Sequence, residues 1–314
     1  MRDKGSRTRG GFRQIPIYLS KFFRMFIFMD DWKVLPFSAL IAALVSYAVG
    51  DKMFVTMEGT LKGSLALTCV LIWNGFFNSI QVICRERNVI KREHRSGMRI
   101  SAYLSAEIIY QAFLCLLQAL ITLAIFSMAG MKRLSVGVVT PFFMVDLAMT
   151  FFLISFSSDM LSLMISSLSK NTTSAMTVMP FVLVFQLVFS GGVFALQGGA
   201  ELLTNLTIAK WGMCAICAIG GYNSLPTYTV WNQMQNMKNY EYEGLLPVQI
   251  AIEHIENTGN VDTFAYEVAA NNHVTLYASS PENVLNVWSY LLAFAIFFAL
   301  LSLLFLSRID KDKR

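Results

Sequence analysis

Six long apolar runs constrain this chain more than any other feature of its sequence. A helix that rises about 1.5 Å per residue needs roughly 17 to 25 apolar residues to cross a hydrocarbon layer about 30 Å thick. Charged residues make up 14% of the chain, against about 25% in soluble domains. The sequence therefore predicts an all-α integral membrane protein with six transmembrane helices. The runs cover residues 34–50, 63–84, 101–128, 134–168, 175–196 and 287–307.

Two of these runs do not fit a simple straight span. The run at 134–168 is too long, so we expect it to be tilted, broken or continued into the cytoplasm near its serine-rich end. The run at 175–196 contains Pro180 and ends in the sequence "FSGGVFALQGG". We expect its outer end to break and the apolar sequence after it to dip back into the membrane.

Lysine and arginine residues predict the orientation, because they concentrate in cytoplasmic segments. With the N-terminus inside, the cytoplasmic segments carry 8 + 6 + 1 + 4 = 19 of the 25 basic residues. The loop at 198–285 carries two lysines against eight acids, which favours an exterior location. The sequence therefore predicts a multi-pass protein of the cell membrane with both termini in the cytoplasm.

Polar side chains recur at helical spacing within the predicted spans, where they are costly unless they face other helices or a cavity. Two interpretations remain open for them: hydrogen bonds between helices, or the lining of a path for a substrate. The first is favoured for the amides and serines, and the second for Glu107 and Asp159, which we expect to face the protein interior. The candidates for pathway lining are Asn74, Asn78, Glu107, Gln111 and Asp159; further polar residues are Gln81, Gln118, Asp146, Ser162 and Ser166.

The N-terminal part divides into two segments. Residues 1–12 are basic and rich in glycine, which predicts disorder. In residues 13–33, apolar side chains such as Leu19 and Phe22 recur at helical spacing among basic ones, which predicts an amphipathic connecting helix in the headgroup plane. A simple membrane anchor is the alternative. Residues 34–314 form the membrane domain.

Cys214 and Cys217 form the sequence "CAIC" within the predicted exterior loop. This spacing occurs in redox and metal motifs, but no second pair completes a zinc site. Packing within an apolar surface is the favoured interpretation, and a disulfide is left open.

The most charged stretch, "RERNVIKREHRSGMRISAY", covers residues 85–103 and lies between two predicted spans. Projected as a helix, Glu86, Val89, Ile90, Glu93 and Gly97 share one face. The positions four residues before and after Glu93 hold no base, so this acidic and apolar face predicts docking of an outside partner by a short cytoplasmic helix at 85–99. The alternative is a loop that only sets the topology.

This stretch closely resembles the segment between the second and third spans of ABC type-2 exporter permeases, notably the G-subfamily-like ones. The resemblance extends to the connecting helix, the six spans, the sequence "LVFSGGVF" at the end of the fifth span, and the large exterior loop. It implies that 85–99 is a coupling helix against an ATP-binding subunit. The implied contact residues are Glu86, Val89, Ile90, Glu93, His94, Arg95 and Gly97.

The resemblance further implies a permease domain that works as a homodimer or heterodimer and exports a lipid, a drug-like molecule or another hydrophobic substrate. Members of this family commonly carry a fused ATP-binding domain ahead of the connecting helix. This sequence shows none, so a separate ATP-binding subunit is expected to hold ATP and Mg. The alternative is a non-transporting membrane sensor or assembly factor that keeps the permease fold.

Several other function classes are disfavoured. The sequence contains no Walker A, GxSxG or HExxH pattern, so we expect no catalytic residue, metal site or bound cofactor on this chain. Anionic lipid explains the net charge of +5 as well as nucleic acid would, and we expect no nucleic-acid partner.

Overall fold

The computed structural model describes residues 11–28, 31–192 and 198–308, and all regular structure within these ranges is helical. The helices are α1 (Gly11–Phe28), α2 (Val34–Val49), α3 (Met57–Ser79), α4 (Val82–Arg95), α5 (Ile100–Met128), α6 (Phe143–Leu168), α7 (Thr172–Val188), α8 (Gly199–Thr204), α9 (Ile208–Ile219), α10 (Thr229–Met237), α11 (Leu246–Thr258), α12 (Val261–Asn271) and α13 (Pro281–Ser307).

Five helical segments are long and apolar enough to cross a membrane, which makes the chain a multi-pass membrane protein. They are Asp31–Lys52, Met57–Arg95, Ile100–Met128, Phe143–Leu168 and Pro281–Ser307. The fifth predicted span corresponds to α7, whose 17 residues are fewer than those of any of these five segments. Of residues 1–12, which the sequence predicts to be disordered, residues 1–10 lie outside the described residues, whereas Gly11 and Phe12 begin helix α1.

Helix α6 lies at the centre of the bundle and packs against α3, α5, α9 and α13. Its contact with α3 depends on serine hydroxyls that donate to backbone carbonyls of α3. Gly75 of α3 allows the close approach, because a Cβ atom there would lie 2.2 Å from the carbonyl oxygen of Ser155. The donors are Ser155 to Leu71 (3.2 Å), Ser158 to Ile72 (2.8 Å) and Ser162 to Phe76 (2.9 Å).

The predicted run at 134–168 is not one continuous helix, because its first residues form a loop before α6. Of the expected outcomes, a broken run is therefore the one observed. Helix α6 begins at Phe143, and the buried carboxylate of Asp146 holds the preceding loop. Its oxygens accept hydrogen bonds from the backbone N–H groups of Val138 (2.7 Å), Val139 (2.9 Å) and Thr140 (3.0 Å). Asp146 therefore acts as a structural anchor, since three loop donors are satisfied by one side chain.

The apolar sequence after α7 returns to the helix bundle as α9, and its re-entry into the membrane stays a prediction. All but two of the twelve residues of α9 are buried, and the helix packs against α3, α6 and α13. Gln186 of α7 accepts a hydrogen bond from the backbone N–H of Ala209 at 3.2 Å, which joins the two helices. Residues 193–197 between them lie outside the described residues.

The segment predicted as an exterior loop at 198–285 is largely helical and includes α8 to α12. It is tied to the start of α3 by Glu58, whose carboxylate accepts hydrogen bonds from the Thr227 hydroxyl and, at 2.9 Å, from the backbone N–H of Thr229. Cys214 and Cys217 lie in α9, both buried and both free. The sulfur of Cys217 is 3.2 Å from the hydroxyl of Ser64, which fits the packing interpretation.

Candidate functional site

Helix α4 covers most of the predicted coupling segment and is joined to the C-terminal end of α6. The first N–H groups of a helix have no partner within it. In α4, those of Ile83 and Cys84 donate to the hydroxyl oxygen of Ser166, at 3.1 and 3.2 Å. In the opposite direction, Arg87 donates to the carbonyl oxygens of Ser167 and Ser169, at 3.0 and 3.1 Å. Each helix therefore satisfies open backbone groups of the other.

Helix α1 packs along the start of α5 through aromatic side chains. Phe22 is buried, and its ring lies edge-on to Tyr103 with the centroids 5.6 Å apart. Tyr18 meets the same tyrosine at 5.6 Å, and Phe23 meets Tyr110 at 5.7 Å. Such pairs stabilise by about 0.5 to 1.5 kcal/mol beyond their buried area, so α1 is fixed to α5.

The turn between α4 and α5 is held by Gln14 of α1. Its amide nitrogen donates to the carbonyl oxygen of Gly97 at 3.2 Å, and its amide oxygen accepts from the N–H of Arg99 at 2.9 Å. Gly97 has φ = +105°, a conformation that residues with a Cβ rarely adopt. Helices α1, α4 and α5 thus form one assembly at this end of the molecule.

The acidic face of α4 finds its base within the same chain. Lys21 of α1 lies 3.2 Å from Glu86 and 3.9 Å from Glu93. Burial and the neighbouring Glu93 carboxylate raise the pKa of Tyr18 to about 12, so its hydroxyl stays protonated beside that carboxylate. Ile90, on the same face, is fully buried. The missing intrahelical base is therefore supplied by α1, so its absence from α4 does not by itself imply an outside partner, and docking through this face stays a prediction.

Of the other predicted contact residues, Val89 is half-buried, and the ring nitrogen Nδ1 of His94 lies 2.9 Å from the carbonyl oxygen of Met98. Arg95 is exposed. A second face of α4 is basic and exposed, and its solvent-facing side chains recur at helical spacing. They are Arg85, Asn88, Arg92 and Arg95, followed by Arg99 just after the helix.

Within the bundle, polar side chains of α3, α5 and α6 form a buried cluster. Asn78 and Gln118 exchange two amide hydrogen bonds, at 2.8 and 3.0 Å. Asn78 also lies 3.7 Å from the sulfur of Cys115, which lies 3.8 Å from the carboxylate of Asp159. The hydroxyl of Ser79 donates to that same carboxylate. The cluster therefore connects three helices through side-chain hydrogen bonds.

Glu107 and Gln111 lie one turn apart on α5, with a hydrogen bond of 2.8 Å from the glutamine amide to the carboxylate. Glu107 is 1% exposed and Asp159 0%, which confirms that both face the protein interior. The second oxygen of Glu107 has no hydrogen-bond partner among the described residues. For Asp159 the contacts are those of helix packing, and pathway lining stays a prediction for all five candidates.

The sequence interpretation missed Lys21 and Gln14 as partners of the α4 segment. Lys21 was one of the basic residues of a helix assigned to headgroups, and only the packing of α1 against α5 brings it to Glu86. The exposed face of α4 could have been predicted from the sequence, because its polar side chains follow helical spacing within the charged stretch. They are Arg85, Asn88, Arg92 and Arg99.

In comparison with known proteins, the sequence matches a relative and a family model. The ABC transporter ATP-binding/permease protein Rv1747 of Mycobacterium tuberculosis is 28% identical over 153 residues. That alignment covers 47% of this chain and 17% of the relative, so the chain corresponds to a small part of that protein. The model of the ABC-2 type transporter family matches residues 15–202, which include most of α1, all of α2 to α7 and the predicted coupling segment. The chain belongs to the ABC-2 type transporter family.

Proposed function

We propose that this chain is the transmembrane permease subunit of an ABC exporter for a hydrophobic substrate, driven by ATP bound with Mg on an ATP-binding subunit. The observation that carries the proposal is the assembly of α1, α4 and α5, which presents a basic face while it is fixed to the central helix α6. Rv1747, whose name combines ATP-binding and permease functions, supports the same pairing of activities.

Helix α4 is connected to the membrane domain through direct contacts with α6. Ser166 and Arg87 join α4 to the end of α6. Helix α6 in turn contacts α3 through its serines, and its Ser157 hydroxyl donates to the carbonyl oxygen of Leu291 in α13 at 2.8 Å. Because packed helices move as rigid elements, a displacement of α4 on ATP binding would shift α6 against its neighbours. The buried cluster around Asp159 lies along this route.

The face of α4 that meets the ATP-binding subunit is, in this proposal, the basic one. Lys21 lies 3.2 Å from Glu86 and 3.9 Å from Glu93, and both glutamates are partly buried, whereas Arg92 and Arg99 are exposed. Charge complementarity at protein interfaces guides association and fixes register. The contact surface on the ATP-binding subunit should therefore be acidic.

Two copies of the permease, or this chain and a relative, would form the transport pathway in this proposal. Both termini are placed in the cytoplasm, on the side where 19 of the 25 basic residues lie. A membrane-impermeant thiol reagent should label a cysteine placed at Glu253 in intact cells and should not label one placed at Arg92. The reverse labelling pattern would contradict the orientation and the coupling role of α4.

Transport is tested by reconstitution. The chain and the ATP-binding subunit that copurifies with it would be placed in liposomes, and the ATP-dependent movement of a fluorescent phospholipid and of a fluorescent hydrophobic dye would be followed. We expect movement of one of these probes that stops when Mg is chelated. ATP turnover that neither probe changes, with no movement of either, would instead support the sensor or assembly-factor alternative.

A further inference from the structure

A half-enclosed cavity of about 300 Å³ lies between α2, α3 and α5. It is in the half of the bundle nearer α1 and α4, because it is lined by the first two turns of α2 and by the last turns of α3. Apolar side chains dominate the lining. The residues are Val34, Phe37, Ser38 and Ile41 of α2, Asn74 and Phe77 of α3, and Gln118 of α5.

Two buried polar groups of this lining lack a hydrogen-bond partner among the described residues. They are the hydroxyl of Ser38, which is 2% exposed, and the amide nitrogen of Asn74, which is 3% exposed. Leaving such a group unsatisfied costs about 1 to 3 kcal/mol. Gln118 is different, because its amide is paired with Asn78. The described lining is therefore apolar apart from these two unsatisfied groups and the paired amide of Gln118.

Water alone is a poor occupant. A volume of 300 Å³ corresponds to roughly ten water molecules in the liquid, and each buried water needs two to four polar partners. Ser38 and Asn74 can serve only one or two of them. The space is also at the lower end of the range of ligand pockets, about 300 to 1,000 Å³. An occupant that is apolar over most of its surface and carries one polar group fits this lining better.

The chemistry of the lining selects the class of that occupant. None of the described residues that line the cavity is charged, so a carboxylate or phosphate head would be buried without a counter-charge from them. The amide nitrogen of Asn74 requires a hydrogen-bond acceptor, and the hydroxyl of Ser38 can donate or accept. At the rim, Phe37 and Phe77 are 64% and 47% exposed, so an acyl or alkyl chain could continue from the cavity into the bilayer.

We infer that this cavity binds a neutral, single-chain amphiphile from the bilayer, with its hydroxyl or carbonyl oxygen against Asn74 and Ser38. Occupancy needs neither ATP nor an ATP-binding subunit. Failure of the binding experiment therefore leaves the transport proposal standing, and failure of transport leaves the binding site standing.

The test uses the full chain, purified in detergent and irradiated with hexadecanol that carries a diazirine on its chain. Peptide mass spectrometry identifies the labelled residues. We expect labelling of α2, α3 and α5 around the cavity, competed by unlabelled hexadecanol. Hexadecanoate with the same diazirine, at a pH where it is ionised, should label these helices at least tenfold less.

Two substitutions and one matched control sharpen the result. Ser38→Trp fills the cavity and should reduce labelling at least tenfold. Asn74→Leu keeps the side-chain volume and removes the donor, so labelling at limiting probe should fall about three- to tenfold. Thr122→Val is the control, because Thr122 is a buried hydroxyl with no partner among the described residues and does not line the cavity; its labelling should match the wild type.

Three results would overturn the inference. They are the absence of labelling around the cavity in the wild type, equal labelling by the alcohol and the carboxylate, and labelling that Asn74→Leu leaves unchanged. Size-exclusion elution identifies any variant that fails to fold. If Ser38→Trp is such a variant, the comparison of Asn74→Leu with Thr122→Val decides the question alone.

Discussion

The seam between α3 and α6 and the assembly of α1, α4 and α5 use polar residues in opposite ways. Along the seam, serine hydroxyls donate to backbone carbonyls of the neighbouring helix, and Gly75 lets the backbones approach. In the assembly, charged and aromatic side chains contact one another, and a row of arginines stays exposed. Hydroxyl-to-backbone contacts thus hold two helices close together along the seam, whereas the contacts within the assembly leave other charged side chains at its surface.

The largest loss of stability should come from placing a side chain at Gly75, where α3 and α6 approach closely. Gly75→Leu places its Cβ 2.2 Å from the carbonyl oxygen of Ser155 and 2.8 Å from the backbone nitrogen of Asp159, and neither backbone atom can move alone. We expect a loss of about 3 kcal/mol or more, because overpacking forces the helices apart. Fluorescence-detected size-exclusion chromatography after a heating series measures the loss. Gly199→Ala is the control, since no atom lies within 4 Å of the added Cβ.

A smaller effect is expected from removing the carboxylate that joins the seam to α5. Asp159→Leu leaves the hydroxyl of Ser79 without its acceptor in a fully buried position. The expected loss of stability is about 1 to 3 kcal/mol, whereas Asp159→Asn keeps an acceptor and should lose less. Thermal midpoints of the two purified variants compare them directly. Equal midpoints for the leucine and asparagine variants would contradict a hydrogen-bonding role.

The smallest structural effect should come from the contact between α1 and the turn after α4. Gln14→Ala removes the acceptor of the Arg99 N–H and the donor to Gly97. We expect a loss of about 1 kcal/mol and faster hydrogen exchange of the Arg99 amide, with little change in α6. Protection at Arg99 equal to that of the wild type would mean that α1 does not hold this turn.

The sequence was sufficient for the helical class and for most of the fold. The length of apolar runs directly reports what a bilayer requires, so the boundaries of α2, α5 and α13 lie within about six residues of the predicted spans. Pro180 and the glycines after it correctly indicated the break after α7. The start of α6 at Phe143 was harder to predict from the sequence. The apolar residues before it form a loop whose N–H groups donate to Asp146, so their hydrophobicity does not indicate a helix.

The candidate site was less predictable, because charge pairing between helices depends on their packing. Helical spacing placed Glu86 and Glu93 on one face of α4, which is correct. It could not indicate that Lys21, 65 residues from Glu86, would lie 3.2 Å away. The same limit applies to Asn78 and Gln118, which are 40 positions apart in the sequence and join α3 to α5 through two amide hydrogen bonds. Local patterns identify faces, and only the tertiary fold identifies what covers them.

The most direct test of the account compares the two faces of α4 in one copurification measurement. The double variant Arg92→Glu with Arg99→Glu should weaken association with the ATP-binding subunit from a few-fold to about a hundred-fold, since charge pairs at such contacts contribute about 0.5 to 3 kcal/mol. The double variant Glu86→Lys with Glu93→Lys should keep that association and instead loosen α1, measured by hydrogen exchange in Gly11–Phe28. Normal association of the arginine variant together with its loss in the glutamate variant would contradict the account.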